Sequence, residues 1–291
     1  MNELAEWDIV TGVGITALGV AAGRAMETGR DGALVSDPYA EAFVEAAAPP
    51  VPFPTRLDAV GDDPEIPWRS MADYMGVRSR FFDDWFASAS CAGIGQAVLL
   101  AAGLDVRAYR LGWPDGTVVY ELDAPKVLAF KDGVLTERGA RPRADRRTVA
   151  VDLREDWATA LRGNGFDTGR PSAWLAEGLM PFLPNTAKDR MLGIVTELSA
   201  PGSMIAIEHV DDVRAMLSED HFRETNERFG IDMAALWPDE DDFAPADWLT
   251  GHGWSVETVR SSEVAERLGR VLDNPGHDPM RSSVFVTATR V

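Results

Sequence analysis

The chain has 291 residues, of which 45% are hydrophobic, enough for one large α/β domain with or without an elaborate cap. Its 47 acidic against 28 basic side chains leave a formal net charge of −19, which repels a phosphate backbone and argues against nucleic-acid binding. One cysteine, Cys91, and four histidines without metal-ligand spacing exclude a disulfide framework and a CxxC or HExxH site.

Along the chain, small and apolar residues recur at helical spacing from Ile15 to Met26, where Gly19 and Gly23 permit close packing. Asp37-Pro38 is expected to open a second helix, with Asp37 as its cap. Six prolines between 48 and 67 mark a loop, either plain or a cover over a site. A helix over 71–89 presents Phe81, Phe82, Trp85 and Phe86 on one face; Arg78, one turn before Phe82, can project toward a site or pair with Asp73 or Asp83. Strands are expected at 96–101 and 117–122, with a helix over 124–134. A basic, irregular piece (138–147) precedes a short strand at 148–151 that ends in Asp152-Leu153. A helix at 157–161, a strand at 172–177, a helix at 186–199 and a strand at 203–208 continue the alternation that a parallel sheet requires.

Residues 210–250 break this pattern. They carry Trp237, Phe243 and Trp248 around the acidic run 239–242, and read as a helical lid or as an appendage covering an edge. Strands at 254–260 and 282–290 suit an antiparallel edge hairpin. No signal-like segment opens the chain, and no apolar run approaches the roughly 18 residues of a membrane span, so a cytoplasmic protein without a membrane partner is expected. One domain over 1–291 is expected, with residues 1–90 as its N-terminal helical extension.

The stretch Gln96 to Lys131 organises the rest. A strand meets a turn at Ala101 to Asp105, and Asp123 ends the next strand, twenty residues after Gly103. That spacing suits a backbone turn against a nucleotide and a carboxylate on its ribose. GxGxxG and GxxxxGK[ST] are both absent, and a lone glycine can also be only a turn. Carboxylates recur near strand ends at Asp105, Asp123, Asp152 and Glu177, where open α/β sheets bind ligands. Glu121 and Asp123 share one side of the strand by alternation, so spacing does not choose between them.

Seven strands, a closing antiparallel pair and these acids describe a Rossmann-like class I methyltransferase sheet, mostly parallel with an antiparallel last strand. The segments WDIVTGVGITAL (7–18), SDPYAEAFV (36–44), RSRFFDDWF (78–86) and QAVLLAAGLDVRAYRL (96–111) resemble the leucine carboxyl methyltransferase-related group of S-adenosyl-L-methionine-dependent methyltransferases, in its actinobacterial branch. YELDAPKVLAFK (120–131), VDLREDW (151–157) and AEGLMPFLP (176–184) extend the likeness over nearly the whole chain. The resemblance implies that Arg78 holds the methionine carboxylate of S-adenosyl-L-methionine and that the turn at Ala101, Gly103 and Asp105 passes beside its methionine part. It implies that Asp123 takes the ribose hydroxyls, Asp152 and Leu153 frame the adenine, and Glu177 helps fix the amino group. Val106 stands where the family commonly has Thr, and Ala101 where the broader family has its first glycine.

The expected activity is O-methylation of a small-molecule carboxylate or hydroxyl. An ionised carboxylate needs no general base; a phenol or alcohol would want one, and His209 is the candidate, set against a merely structural histidine. The alternatives are a nicotinamide-dependent oxidoreductase, opposed by the missing GxGxxG, and a non-catalytic cofactor-binding protein on the same fold. No catalytic residue, acceptor or oligomeric state is assigned.

Overall fold

A computed structural model describes residues 9–60, 67–211, 227–230, 233–238, 240, 243–272 and 283–291. Seven strands form one sheet: β1 (Gln96–Leu100), β2 (Val118–Asp123), β3 (Asp145–Ala150), β4 (Ala173–Ala176), β5 (Met204–Val210), β6 (Trp254–Arg260) and β7 (Ser283–Arg290), in the order β3-β2-β1-β4-β5-β7-β6. The first five run parallel, and β7 lies antiparallel between β5 and β6. β1 sits at the centre, with Leu99 beside Glu121 of β2 and beside Leu175 of β4. All five of its residues are buried, because a central parallel strand is covered on both faces, and this is why it reads as an unbroken apolar run. Alternation along it feeds two cores. Ala97 and Leu99 pack with Phe82 and Phe86 on one face, and Val98 and Leu100 pack with Trp157, Trp174 and Leu192 on the other.

Chain connections leave β1 toward β2 on one side, while β4 pairs on its other side, so the strand order reverses between β1 and β4. A crevice opens there, beyond the carboxyl ends of the strands. Three N-terminal helices precede the sheet, α1 (Gly12–Thr28), α2 (Ala40–Ala47) and α3 (Trp68–Cys91), of which α1 and α3 roof the crevice. Helices α4 (Arg107–Arg110), α5 (Pro125–Glu137), α6 (Trp157–Gly163) and α7 (Asn185–Leu198) connect the strands. α1 and α3 approach closely because glycine faces side chain in both directions. A Cβ on Gly23 would stand 2.6 Å from Met75 Cγ, and one on Gly76 would stand 2.7 Å from Glu27 Cδ.

Three local expectations change. Asp37 does not cap α2, whose N-cap is Tyr39. Its carboxylate accepts from the Tyr39 N–H at 3.0 Å and is held by Arg24, a buried ion pair 13 residues away that local spacing could not reveal. The basic piece before β3 is partly strand: Arg146 lies over the Tyr109 ring at 5.4 Å and Arg147 over Tyr120 at 5.7 Å, contacts that let long cationic side chains sit on a sheet edge. The late strands are antiparallel neighbours, as expected, but β7 is inserted beside β5 and leaves β6 as the edge. In the lid region, Asp239, Asp241 and Asp242 lie outside the described residues; short helices span Met233–Leu236 and Pro245–Gly251.

Candidate active site

At the carboxyl ends of β1, β2, β4 and β5 lies a cavity of about 480 Å³, roofed by α1 and α3. The turn after β1 forms its floor. Ala101 adopts φ +52° and Gly103 φ +48°. Alanine in this left-handed region costs about 1–2 kcal/mol, so Ala101 holds a shape that glycine would take without strain. The turn is tied to β2 twice. The Ala102 N–H donates to the Leu122 carbonyl at 2.9 Å, and the Gly103 N–H donates to Asp123 Oδ2 at 2.7 Å. Asp123 Oδ1 accepts from the Ala124 N–H at 2.7 Å. Each carboxylate oxygen keeps a lone pair beyond these bonds, available to a hydroxyl in the cavity. Burial pushes the Asp123 carboxyl above its ordinary pKa, against the pull of the Gly103 and Ala124 amides.

The far wall is a buried chain of charges. Arg78 donates through Nε to Glu177 Oε1 at 2.8 Å and through Nη1 to both oxygens of Glu208 at 3.1 Å. Glu208 also accepts from the Tyr74 hydroxyl and, at 2.7 Å, from the Gly178 N–H. Arg107, 2% exposed, donates to Glu177 Oε2 at 2.6 Å, to Asp83 at 2.8 Å and to Asp105. Burial alone would raise the carboxyls of Glu177 and Asp105; the arginines outweigh it, Arg107 first in both cases, and hold both below their ordinary values. Buried charges persist only when paired and hydrogen-bonded in this way. The wall is therefore a fixed array of four arginine-linked carboxylates, with Arg78 facing the cavity.

The cavity thus brings together Arg78, Ala101, Gly103, Asp105, Asp123 and Glu177. Asp152 and Leu153 stand beyond the end of β3, outside its lining, and Asp152 is bound by Arg154 at the surface. Glu121 is decided by tertiary structure: it is fully buried between Lys131 (2.8 Å) and Arg146 (2.7 Å), away from the cavity. His209 belongs to β5 rather than following it, and faces a separate pocket beside Asp211 (3.3 Å) and Arg260. Of Trp237, Phe243 and Trp248 only Trp237 lines the cavity, edge-on to Phe182 at 5.9 Å, and Phe229 of the same region lines it too. Trp248 donates to Asp189 at 2.8 Å and stacks on His252, and Phe243 lies under Lys188, so these two anchor the segment to its surroundings. Glu208, Tyr74 and Arg107 were missed. Glu208 carried the same signal as the other acids, a carboxylate at a strand end; Tyr74 and Arg107 carried none, since only the packing of α3 and α4 brings them in.

Comparison with known proteins agrees with this geometry. The sequence model of the family described as leucine carboxyl methyltransferase matches residues 17–196, more than half of the chain. A Saccharopolyspora erythraea protein described as an S-adenosyl-L-methionine-dependent methyltransferase is 48% identical over 290 residues, covering 100% of both chains. A Mycobacteroides abscessus protein of the same description is 50% identical over 278 residues, covering 92% of this chain and 88% of that one. In fold, a DUF574-family crystal structure from Streptomyces avermitilis superimposes with a TM-score of 0.58 at 16% identity, over 94% of this chain and 97% of that one. A motif-bearing cavity at the switch point of a class I sheet and relatives near half-identical from end to end converge: the chain belongs to the actinobacterial S-adenosyl-L-methionine-dependent methyltransferases related to leucine carboxyl methyltransferase, an enzyme family whose methyl donor is S-adenosyl-L-methionine.

Proposed function

We propose that the enzyme methylates oxygen, on a carboxylate or hydroxyl of a small and mostly apolar acceptor. The carrying observation is the composition of the cavity wall. Away from the ion network it is lined by Val13, Val20, Phe53, Trp68, Phe229 and Trp237, and no Lys, His or Cys stands among the lining residues described. Such a wall excludes water and favours an apolar body. It offers no free nitrogen base to take a proton, and its carboxylates are already engaged by arginines or amides. An acceptor oxygen that is anionic on arrival suits it best.

When bound, the cofactor supplies an activated methyl group on a positively charged sulfur. The residues present fit it. Asp123 would receive the ribose hydroxyls on its remaining lone pairs, and the left-handed turn at Ala101 to Gly103 lets backbone approach closely. Arg78, held on two sides by Glu177 and Glu208, keeps its Nη2 for the amino-acid carboxylate, since that nitrogen has no partner among the described residues. Glu177 would face the ammonium. Catalysis by this chain then amounts to positioning and desolvation by a rigid wall.

The test is transfer of a labelled methyl group from S-adenosyl-L-methionine to a metabolite extract, followed by mild alkali. A base-labile product indicates an ester and a base-stable oxygen-linked product an ether; either supports the reading. Label found on nitrogen, sulfur or carbon overturns it.

A further inference from the structure

Beyond the wall already described, one buried cation in the cavity has no assigned task. Arg24 lies on α1, 9% exposed, and lines the cavity. Val13, Ala17, Val20 and Arg24 share one helix face over roughly 16 Å, at 1.5 Å per residue. That face is apolar toward the lid and cationic beside the β1 turn. The guanidinium is fixed on two sides: Nε donates to Asp37 Oδ2 at 2.8 Å, and Nη2 donates to the Leu104 carbonyl at 2.9 Å, one residue past Gly103. Its third nitrogen, Nη1, has no hydrogen-bond partner among the described residues and is not fully buried, on a residue that lines the cavity.

We propose that Arg24 is a carboxylate-binding residue of this cavity, acting through Nη1. Neighbouring acids do not compete for it: Asp105 is taken by Arg107, Asp123 by two backbone amides, Glu177 by Arg78 and Arg107, and Glu208 by Arg78, Tyr74 and Gly178. A donor whose two other bonds already set its plane loses little freedom on binding a carboxylate oxygen. Two sources offer that oxygen, the amino-acid carboxylate of the cofactor and the carboxylate of an acidic acceptor. The inference rests on reading this cavity as the cofactor and acceptor site.

Calorimetric titration of wild-type and Arg24→Gln enzyme separates the sources. The cofactor arm uses S-adenosylhomocysteine against 5′-methylthioadenosine, which lacks the amino-acid part. The acceptor arm uses decanoate against decanol, on enzyme saturated with S-adenosylhomocysteine. We expect a loss of roughly tenfold or more, the worth of one charge-assisted bond, confined to one carboxylate ligand. Loss for S-adenosylhomocysteine with 5′-methylthioadenosine unchanged assigns Arg24 to the cofactor, and loss for decanoate with decanol unchanged assigns it to the acceptor. No loss for either carboxylate, or equal loss for the ligand lacking one, overturns the proposal. Should Arg24→Gln not fold, Arg24→Lys is titrated in the same way, with a smaller loss in the same arm expected and an unchanged affinity in both arms again overturning it. Wild-type enzyme that binds no S-adenosylhomocysteine overturns the reading of the cavity itself; normal wild-type binding with no effect of Arg24 overturns this proposal alone.

Discussion

At the scale of single residues, two acids two positions apart have opposite tasks. Asp123 stands in the cavity with spare lone pairs, whereas Glu121 neutralises Lys131 and Arg146 inside the protein. Asp123→Ala should weaken S-adenosylhomocysteine binding by roughly 1.5–3 kcal/mol, the usual worth of bonds to a charged group, and leave the melting temperature nearly unchanged. Glu121→Ala should do the reverse, costing about 3–5 kcal/mol of stability because it strands buried cations. Calorimetry beside thermal melts of both variants checks this; the opposite pattern would mean the two acids are exchanged. A pH dependence follows. The Asp123 carboxyl is raised, so its ionised form costs stability at neutral pH and that cost is relieved on acidification. The Asp105 and Glu177 carboxyls are lowered, so their stabilisation is present above the unfolded values of about 3.9 and about 4.3 and is lost only as pH falls through their lower folded values. On acidification, cofactor affinity should therefore decline before the lowered carboxyls of Asp105 and Glu177 are protonated, while the fold persists. Affinity and melting temperature recorded across the same pH series test it, and coincident declines would remove Asp123 from the ribose site.

At the scale of elements, the site depends on how closely α1 lies on α3, since the cavity faces of both helices carry its roof. Glycine within a helix normally costs about 1 kcal/mol relative to alanine, so a Gly→Ala change on an open helix face would stabilise. Gly76 is the opposite case. An added Cβ would press on the buried Glu27, whose carboxylate is held by Arg30, Arg270 and the Leu34 N–H. Gly76→Ala should destabilise by roughly 1–3 kcal/mol, as overpacking does, and should loosen cofactor binding through the displaced Arg78. Chemical denaturation measures the first effect, and a stabilised variant would show that the two helices have room to spare. The stability of α3 thus rests on a contact between helices more than on its own sequence.

At the scale of the whole molecule, the parallel strands and the later segments divide the work. The sheet and the N-terminal helices frame the charged end of the cavity, proposed above to take the cofactor, while Trp237, from beyond β5, closes the apolar end together with Phe182. Trp237→Ala should leave S-adenosylhomocysteine affinity within about twofold, well under the tenfold that 1.4 kcal/mol represents, and reduce turnover of an identified acceptor. Trp248→Ala removes an anchor outside the cavity and should lower the melting temperature instead. Equal effects of the two variants on turnover would place acceptor selection elsewhere. Among the described residues, no helix is long and apolar enough to cross a membrane.

The order of elements, the central strand and the turn-to-acid spacing were legible in the amino-acid sequence, because burial of β1 on two faces, the period of α3 and the turn after Leu100 are all local or nearly local constraints. Those same constraints placed Ala101, Gly103, Asp105, Asp123 and Glu177 near one another at or just beyond strand ends, whereas Arg78, within α3, was joined to them by the family resemblance. What only the tertiary structure decided is which charges meet. Glu121 or Asp123, Asp37 as cap or as partner of Arg24, and His209 in or out of the cavity all turn on groups far apart in the chain. Residues such as Tyr74 and Glu208, separated by 134 positions, share a hydrogen bond only once α3 is laid across the sheet. Spacing along a strand or helix fixes which way a side chain points, but pairing in a buried site depends on what the packing of other elements brings opposite it.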